Sequence, residues 1–312
     1  MRSRPSVLFA ILLLALISCG SPPAAVPTPT PTEATAAPRY PLVVTDDRGK
    51  QITFTAPVQR IVSVAPSSTE IVFALGAGDR IVAVDDFSDF PAEAKALPKV
   101  GGFTTSAEKV VSFQPDLVLA ITTGNLAPAL EAQGQRVAIF EPTDFAGVYR
   151  DIATIGQIVG RESAAADLVR RMRDRIGAVT ERARTATARV RVLHEIDASD
   201  PTKIYVAGPG NFIDAMIAAA GGTNVAASAP SSYPQLSAEE IVRADPEVIV
   251  LSDAAYGMTP EAVAARPGWS AIDAVKKRRV VAIDPDLVSR PGPRLADGVE
   301  QYAKLLHPEL FP

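Results

Sequence analysis

Along the chain, short uninterrupted apolar runs alternate with stretches of helical periodicity. Arg60-Ile61-Val62-Ser63-Val64 and Val190 to Ile196 are apolar through consecutive positions, as expected of strands buried on both faces. Each is followed by a Ser- or Asn-led helix, then a Glu-bearing helix stopped by Pro115 or Pro246. Further strands are predicted at Asp116 to Ile121 and Glu247 to Leu251, each followed by another helix and a last strand. Strands alternating with helices imply a parallel-type sheet with helices on its faces.

The pattern occurs twice. Ala107-Glu108-Lys109-Val110-Val111-Ser112-Phe113-Gln114-Pro115-Asp116-Leu117-Val118-Leu119 aligns without a gap on Ala238-Glu239-Glu240-Ile241-Val242-Arg243-Ala244-Asp245-Pro246-Glu247-Val248-Ile249-Val250. Arg136 to Pro142 parallels Arg279 to Pro285, and Thr69 to Gly76 and Ile213 to Gly221 both read as short apolar helices stopped by glycine. Between the copies, Asp144 to Ala188 is helical in composition. Val169, Met172, Ile176 and Val179 make one apolar stripe, while Arg170, Arg171, Arg173, Arg175 and Arg182 fall mainly elsewhere, as a solvated face. Glu162 to Thr185 would span roughly 36 Å at about 1.5 Å per residue, enough to bridge two small domains. The expectation is an α/β protein of two similar lobes (42–145 and 189–312), each with a parallel-type sheet flanked by helices. One long helix within residues 146–188 joins them. A cleft should lie between the lobes, lined by the loops after the strands.

The first 41 residues read differently. Arg2 and Arg4 precede an uncharged apolar run from Val7 to Ile17, too short to span a bilayer, which takes about 20 residues. Leu16-Ile17-Ser18-Cys19 resembles the bacterial lipobox, so residues 1–18 are expected to be a signal peptide and Cys19 a lipidated first residue. Gly20 to Pro41 holds seven prolines and reads as an extended tether, completing an anchor over 19–41 that holds a globule at a membrane surface. The net charge of −4, without a basic block, argues against a nucleic-acid partner. Cys19 is the only cysteine, and His194 and His307 are the only histidines, which excludes disulfides, cysteine nucleophiles and His-rich metal sites. His194, inside a strand run, reads as a satisfied core residue. No Gly-x-Ser-x-Gly elbow, dinucleotide fingerprint or Walker loop occurs.

Arg60-Ile61-Val62-Ser63-Val64-Ala65-Pro66-Ser67-Ser68-Thr69-Glu70, Asp89-Phe90-Pro91, Val100-Gly101-Gly102, Gln114 to Val118 and Ser289-Arg290-Pro291-Gly292-Pro293-Arg294-Leu295 together resemble the helical-backbone metal-receptor class of periplasmic binding proteins. These are the vitamin B12, ferric-siderophore and haem receptors, and the nearest resemblance is to the B12 receptors. The resemblance implies a non-enzymatic substrate-binding lipoprotein that delivers its ligand to an ABC permease dimer and its ATPase. The implied ligand is a corrinoid. A ferric siderophore or haem is the alternative cargo, and a chelatase-like enzyme on paired lobes is disfavoured by the export signal and the shortage of His and Cys.

The candidate site residues follow from strand ends and from the resemblance. Phe87 and Phe103 match aromatic ligand-contact positions of the B12 receptors, and Tyr205 and Tyr233 occupy corresponding places in the second lobe; each could instead fill core. Ser67, with Ser68, follows the first strand and is either a cleft residue or a helix cap. Asp286 and Arg290 flank the last loop and could contact ligand amides or acids, or pair with other charges. Thr122-Thr123-Gly124-Asn125 closes another strand with uncharged donors. Glu108 and Glu239, at matching places in the echo, are either helix-dipole partners or, as the resemblance implies, carboxylates that dock on arginines of a two-fold permease. No cofactor is expected beyond the cargo itself.

Overall fold

The computed structural model describes residues 40–122 and 124–312. The expected signal peptide, Cys19 and nearly all of the tether lie outside the described residues. A hairpin of β1 (Leu42–Thr45) and β2 (Gln51–Phe54) precedes the first α/β lobe. That lobe runs through β3 (Ile61–Ser63), α1 (Pro66–Ala74), β4 (Ile81–Val84), α2 (Ala92–Lys95), α3 (Ala107–Val111), β5 (Leu117–Ala120), α4 (Leu126–Ala132) and β6 (Val137–Ile139). Its four strands are parallel, in the order β4-β3-β5-β6. Then come α5 (Phe145–Ile158) and the long α6 (Glu162–Ala183).

The second lobe contains β7 (Val190–Asp197), β8 (Ile204–Val206), α7 (Phe212–Ala219), β9 (Gly222–Asn224), β10 (Gln235–Leu236), α8 (Ala238–Ala244), β11 (Val248–Leu251), α9 (Pro260–Ala264), α10 (Asp273–Lys276) and β12 (Val280–Ala282). It ends with α11 (Pro285–Ser289) and α12 (Leu295–Leu306). Its sheet is mixed rather than purely parallel. Strands β9, β7, β11 and β12 pair in parallel, whereas β8 pairs antiparallel with both β7 and β10. Only residues 198–203 separate β7 from β8, too few for the crossover that a parallel partner needs.

The internal echo is one structural unit used twice. In both copies a Ser-capped helix is followed by a non-glycine residue in the left-handed region, Gln114 (φ 49°) or Asp245 (φ 43°), and a strand begins three residues after it. The acid before that strand ties it to its neighbour. Asp116 accepts from the Arg60 amide and Glu247 from the Arg191 amide, 2.9 and 3.0 Å respectively.

The strands are apolar without alternation because both sheet faces are covered. Leu117 and Leu119 face one cluster and Val118 and Ala120 another; Val248 and Val250 oppose Ile249 and Leu251 in the same way. The inner faces of the two sheets join one continuous core through α5, α6, α7 and α12, with Met172, Ile176 and Val179 of α6 inside it. Of the α6 arginines, Arg175 pairs with Asp297 and Glu300 of α12, fastening the long helix to the second lobe. The lobes therefore share buried side chains rather than meeting through a strand hinge.

Candidate functional site

The cleft is assembled from loops at the carboxyl ends of strands in both lobes. It encloses about 850 Å3 and is walled by Ser67, Phe87, Phe103, Tyr233, Asp286 and Arg290 among others. Six of the seven residues expected there are thus brought together. Tyr205 instead lines an adjoining pocket of about 450 Å3, which shares Phe212, Tyr233 and Ser289 with the cleft wall.

In the first lobe, β3 turns at Val64-Ala65 into α1, whose helical start is Pro66 with Ala65 at the cap position and no side-chain cap. Ser67 and Ser68 are therefore not caps. Ser67 faces the cleft, and the backbone of Gly292 from the second lobe approaches it closely enough that an added Cβ would lie 3.4 Å from the Ser67 carbonyl oxygen. Phe87, in the loop after β4, and Phe103, before α3, pack tilted with ring centroids 4.7 Å apart. Neither fills core: Phe87 is half-exposed and Phe103 is 87% exposed. Gly102 lets this pair form, because a Cβ there would meet the Phe87 ring at 3.2 Å.

The salt-bridge alternative holds for Arg290. It ends α11 at the cleft wall and crosses to the other lobe, where Nη1 meets Asp89 at 2.7 Å and Glu70 at 3.2 Å, and Nη2 donates to the Phe87 carbonyl oxygen at 3.1 Å. Asp286 lies 2.8 Å from the same guanidinium. Arg294 makes a two-point bond to Glu70 (2.8 and 2.6 Å) and lies over the Phe90 ring at 4.3 Å. Burial pulls the Asp89 carboxyl up, but the hydrogen bond and charge of Arg290 outweigh it, so its pKa lies below the ordinary range. At Asp286 burial prevails over Arg290 and the carboxyl is raised. Arg290 thus reaches the cleft wall with its charge already matched.

Several cleft residues were not anticipated. Tyr256, 87% exposed, projects from the turn after β11, and Phe140, Glu141, Asn211 and Phe212 also line the wall. The rule of inspecting strand ends reaches Phe140 and Tyr256, since they follow β6 and β11. Glu141 is held by the Thr122 amide at 2.7 Å and by the Thr122 hydroxyl. Thr123 lies outside the described residues.

His194 is fully buried, as a core residue should be, but it is not fully satisfied, because Nδ1 pairs with the Tyr302 hydroxyl and Nε2 has no partner; burial holds its pKa down to about 3. Among the described residues, no group of three or more His, Cys, Asp or Glu is placed to hold a metal ion, and no helix is long and apolar enough to cross a membrane. Glu108 and Glu239 are exposed in the first turns of α3 and α8. Capping is done by other groups: Ser106 accepts from the Lys109 amide, and Ser237 and Glu240 form a reciprocal capping box.

Comparison with known proteins is consistent with this geometry. The family model described as "Periplasmic binding protein" matches residues 61–287. The uncharacterized ABC transporter substrate-binding lipoprotein YvrC of Bacillus subtilis (strain 168) is 35% identical, with 100% of this chain and 99% of the relative covered. A cobalamin-binding protein of Halobacterium salinarum is 32% identical, over 95% of this chain and 84% of its own length. The apo structure of the periplasmic heme-binding protein RhuT from Roseiflexus sp. RS-1 superposes with a TM-score of 0.72 at 30% identity, covering 81% of this chain and 99% of that one. The chain belongs to the periplasmic binding protein family, as a non-enzymatic substrate-binding component of an ABC transporter.

Proposed function

We propose that the interlobe cleft binds a corrinoid and presents it to an ABC permease dimer. The observation that carries this reading is the combination of exposed aromatic faces with absent free cations. Phe87 and Phe103 from one lobe and Tyr233 and Tyr256 from the other surround the cleft. A large planar chelate buries area against such faces. Among the described residues of the wall, Arg290 is the single basic one and is matched by carboxylates, while Asp286 and Glu141 add negative charge. An amide-rich, uncharged periphery suits this wall better than the carboxylates of haem or of an anionic siderophore. The cobalamin-binding relative supports the same cargo. The heme-binding neighbour keeps haem as the second reading.

In this account Cys19 anchors the protein by lipid, and Glu108 and Glu239, not needed as caps, dock on arginines of the permease. A thermal-shift panel of cobalamin, cobinamide, haem and ferric siderophores tests the cargo, because a ligand that binds only the folded state raises its stability. Corrinoids should raise the midpoint most; a larger rise with haem or a siderophore would replace the corrinoid reading.

A further inference from the structure

Beside the cleft, the pocket of about 450 Å3 has a floor unlike its walls. His194 from β7 lines it, fully buried, with Nδ1 2.6 Å from the Tyr302 hydroxyl oxygen and no partner for Nε2. Tyr302 comes from α12, is itself fully buried, and has His194 as its hydrogen-bond partner. If the hydroxyl donates to Nδ1, both of those atoms are satisfied, and the neutral ring then carries its proton on Nε2. The opposite arrangement would leave the buried hydroxyl hydrogen unpartnered as well, and an unmade buried hydrogen bond costs about 1–3 kcal/mol. The remaining imperfection is therefore one N–H donor with nothing to donate to.

Of the other polar groups of the pocket, the two serine hydroxyls already donate within the protein. The Ser252 hydroxyl donates to the Glu195 carbonyl and the Ser289 hydroxyl to the Pro285 carbonyl. Tyr205 and Tyr233 form half-exposed walls, and Asp197 stands at the rim. Among the described residues of the lining there is no lysine or arginine. An anionic group entering here would lose its hydration beside Asp197 without gaining a counter-charge. A neutral carbonyl oxygen would lose little and complete the bond to Nε2.

We infer that this pocket is a subsite for a neutral hydrogen-bond acceptor, a carboxamide or ester carbonyl on a side arm of the cargo, received by Nε2–H of His194 between Tyr205 and Tyr233. The inference rests on the reading of the cleft as a chelate site, and it names the chemistry that the chelate's periphery must offer. Because Phe212, Tyr233 and Ser289 belong to both cavities, a ligand seated in the cleft can extend an arm into the pocket without another opening.

Nitrogen-15 NMR of the imidazoles tests it directly, since the chain has two histidines and His307 is an internal control. His307 is bonded to Glu309 and to the Gly221 carbonyl, away from the pocket lining. N-methylacetamide and acetate are titrated separately, followed by cyanocobalamin. The amide should shift His194 Nε2 saturably and leave His307 in place, and acetate should do neither. Cyanocobalamin should shift the same nitrogen. His194→Leu should weaken cyanocobalamin about three- to tenfold, and His194→Gln should recover most of that loss. If N-methylacetamide leaves His194 unmoved, or acetate moves it equally, the subsite is wrong whether or not the variants fold. If cyanocobalamin binds while His194 is silent, the subsite fails and the corrinoid reading stands. If the amide shifts His194 but no corrinoid binds, the corrinoid reading fails and the subsite stands.

Discussion

Replacing Glu70 tests whether the ion-pair network behind the cleft wall is also the joint between the lobes. Its side chain is 2% exposed and accepts two bonds from Arg294 and one from Arg290, partners 224 and 220 residues away in sequence. Glu70→Ala removes the acid and leaves two largely buried guanidinium groups behind. Arg290 keeps Asp89 and Asp286, but Arg294 keeps only a 3.9 Å contact with Asp286 and its stack on Phe90. Breaking a buried pair from one side typically costs about 3–5 kcal/mol, and the retained partners place this case near the lower end. At about 2–4 °C per kcal/mol for a chain approaching this size, the melting midpoint should fall by roughly 6–12 °C. Glu70→Gln keeps the shape and one acceptor and should lose less. Glu181→Ala is the control, because its pair with Arg184 is exposed and worth at most about 1 kcal/mol. Thermal unfolding followed by circular dichroism reads all three. If Glu70→Ala melts no lower than Glu181→Ala, the network does not join the lobes and the reasoning fails.

Asp151 gives a pH dependence of defined sign. Burial first, then the neighbouring Asp47 charge, push its carboxyl from 3.8 to about 8. The folded state therefore holds a proton that the unfolded state releases between about pH 4 and pH 8, so stability declines as pH rises across that window. Asp151→Asn should stabilise at pH 8 and change little at pH 4; parallel melting curves at all pH values would refute the shift. Asp253, raised to about 6 by burial and Glu195, should sustain a shallower decline in the variant. Phe87→Ala and Tyr233→Ala should each weaken cyanocobalamin by more than about 1 kcal/mol, or over fivefold by titration calorimetry, and unchanged affinity in both would remove the aromatic contacts from the account. Glu108→Ala with Glu239→Ala should impair transport while ligand affinity holds and stability falls by no more than the roughly 0.3–1 kcal/mol that each first-turn acid contributes; normal uptake by the double variant, or a loss explained by unfolding, would end their docking role.

Much of the architecture was legible because the two lobes repeat a single local device. Helix, left-handed residue and strand recur at one register, and the doubly covered strands spell themselves as unbroken apolar runs. The antiparallel β8 and β10 were not legible, being too short for any periodicity to declare itself. Helix α6 ends at Ala183, slightly before the expected Thr185, where its final amides close tighter turns. Phe87, Phe103 and Tyr233 could be placed from strand-end loops and resemblance. Tyr256 follows β11 and so lies within reach of the strand-end rule, but its turn, Asp253–Tyr256, has no counterpart in the resemblance to single it out. Arg290 was readable as a cleft residue but not as a matched one. Its partners Glu70 and Asp89 are neighbours only after the sheets have formed.

The most direct measurement is a crystal structure of the protein grown with cyanocobalamin. The account predicts the corrin between the lobes, its face against Phe87 and Phe103 or Tyr233 and Tyr256, with Arg290 still bound to Glu70 and Asp89. An empty cleft at saturating cyanocobalamin, or a complex with haem in which Arg290 leaves its carboxylates to hold a propionate, would contradict it.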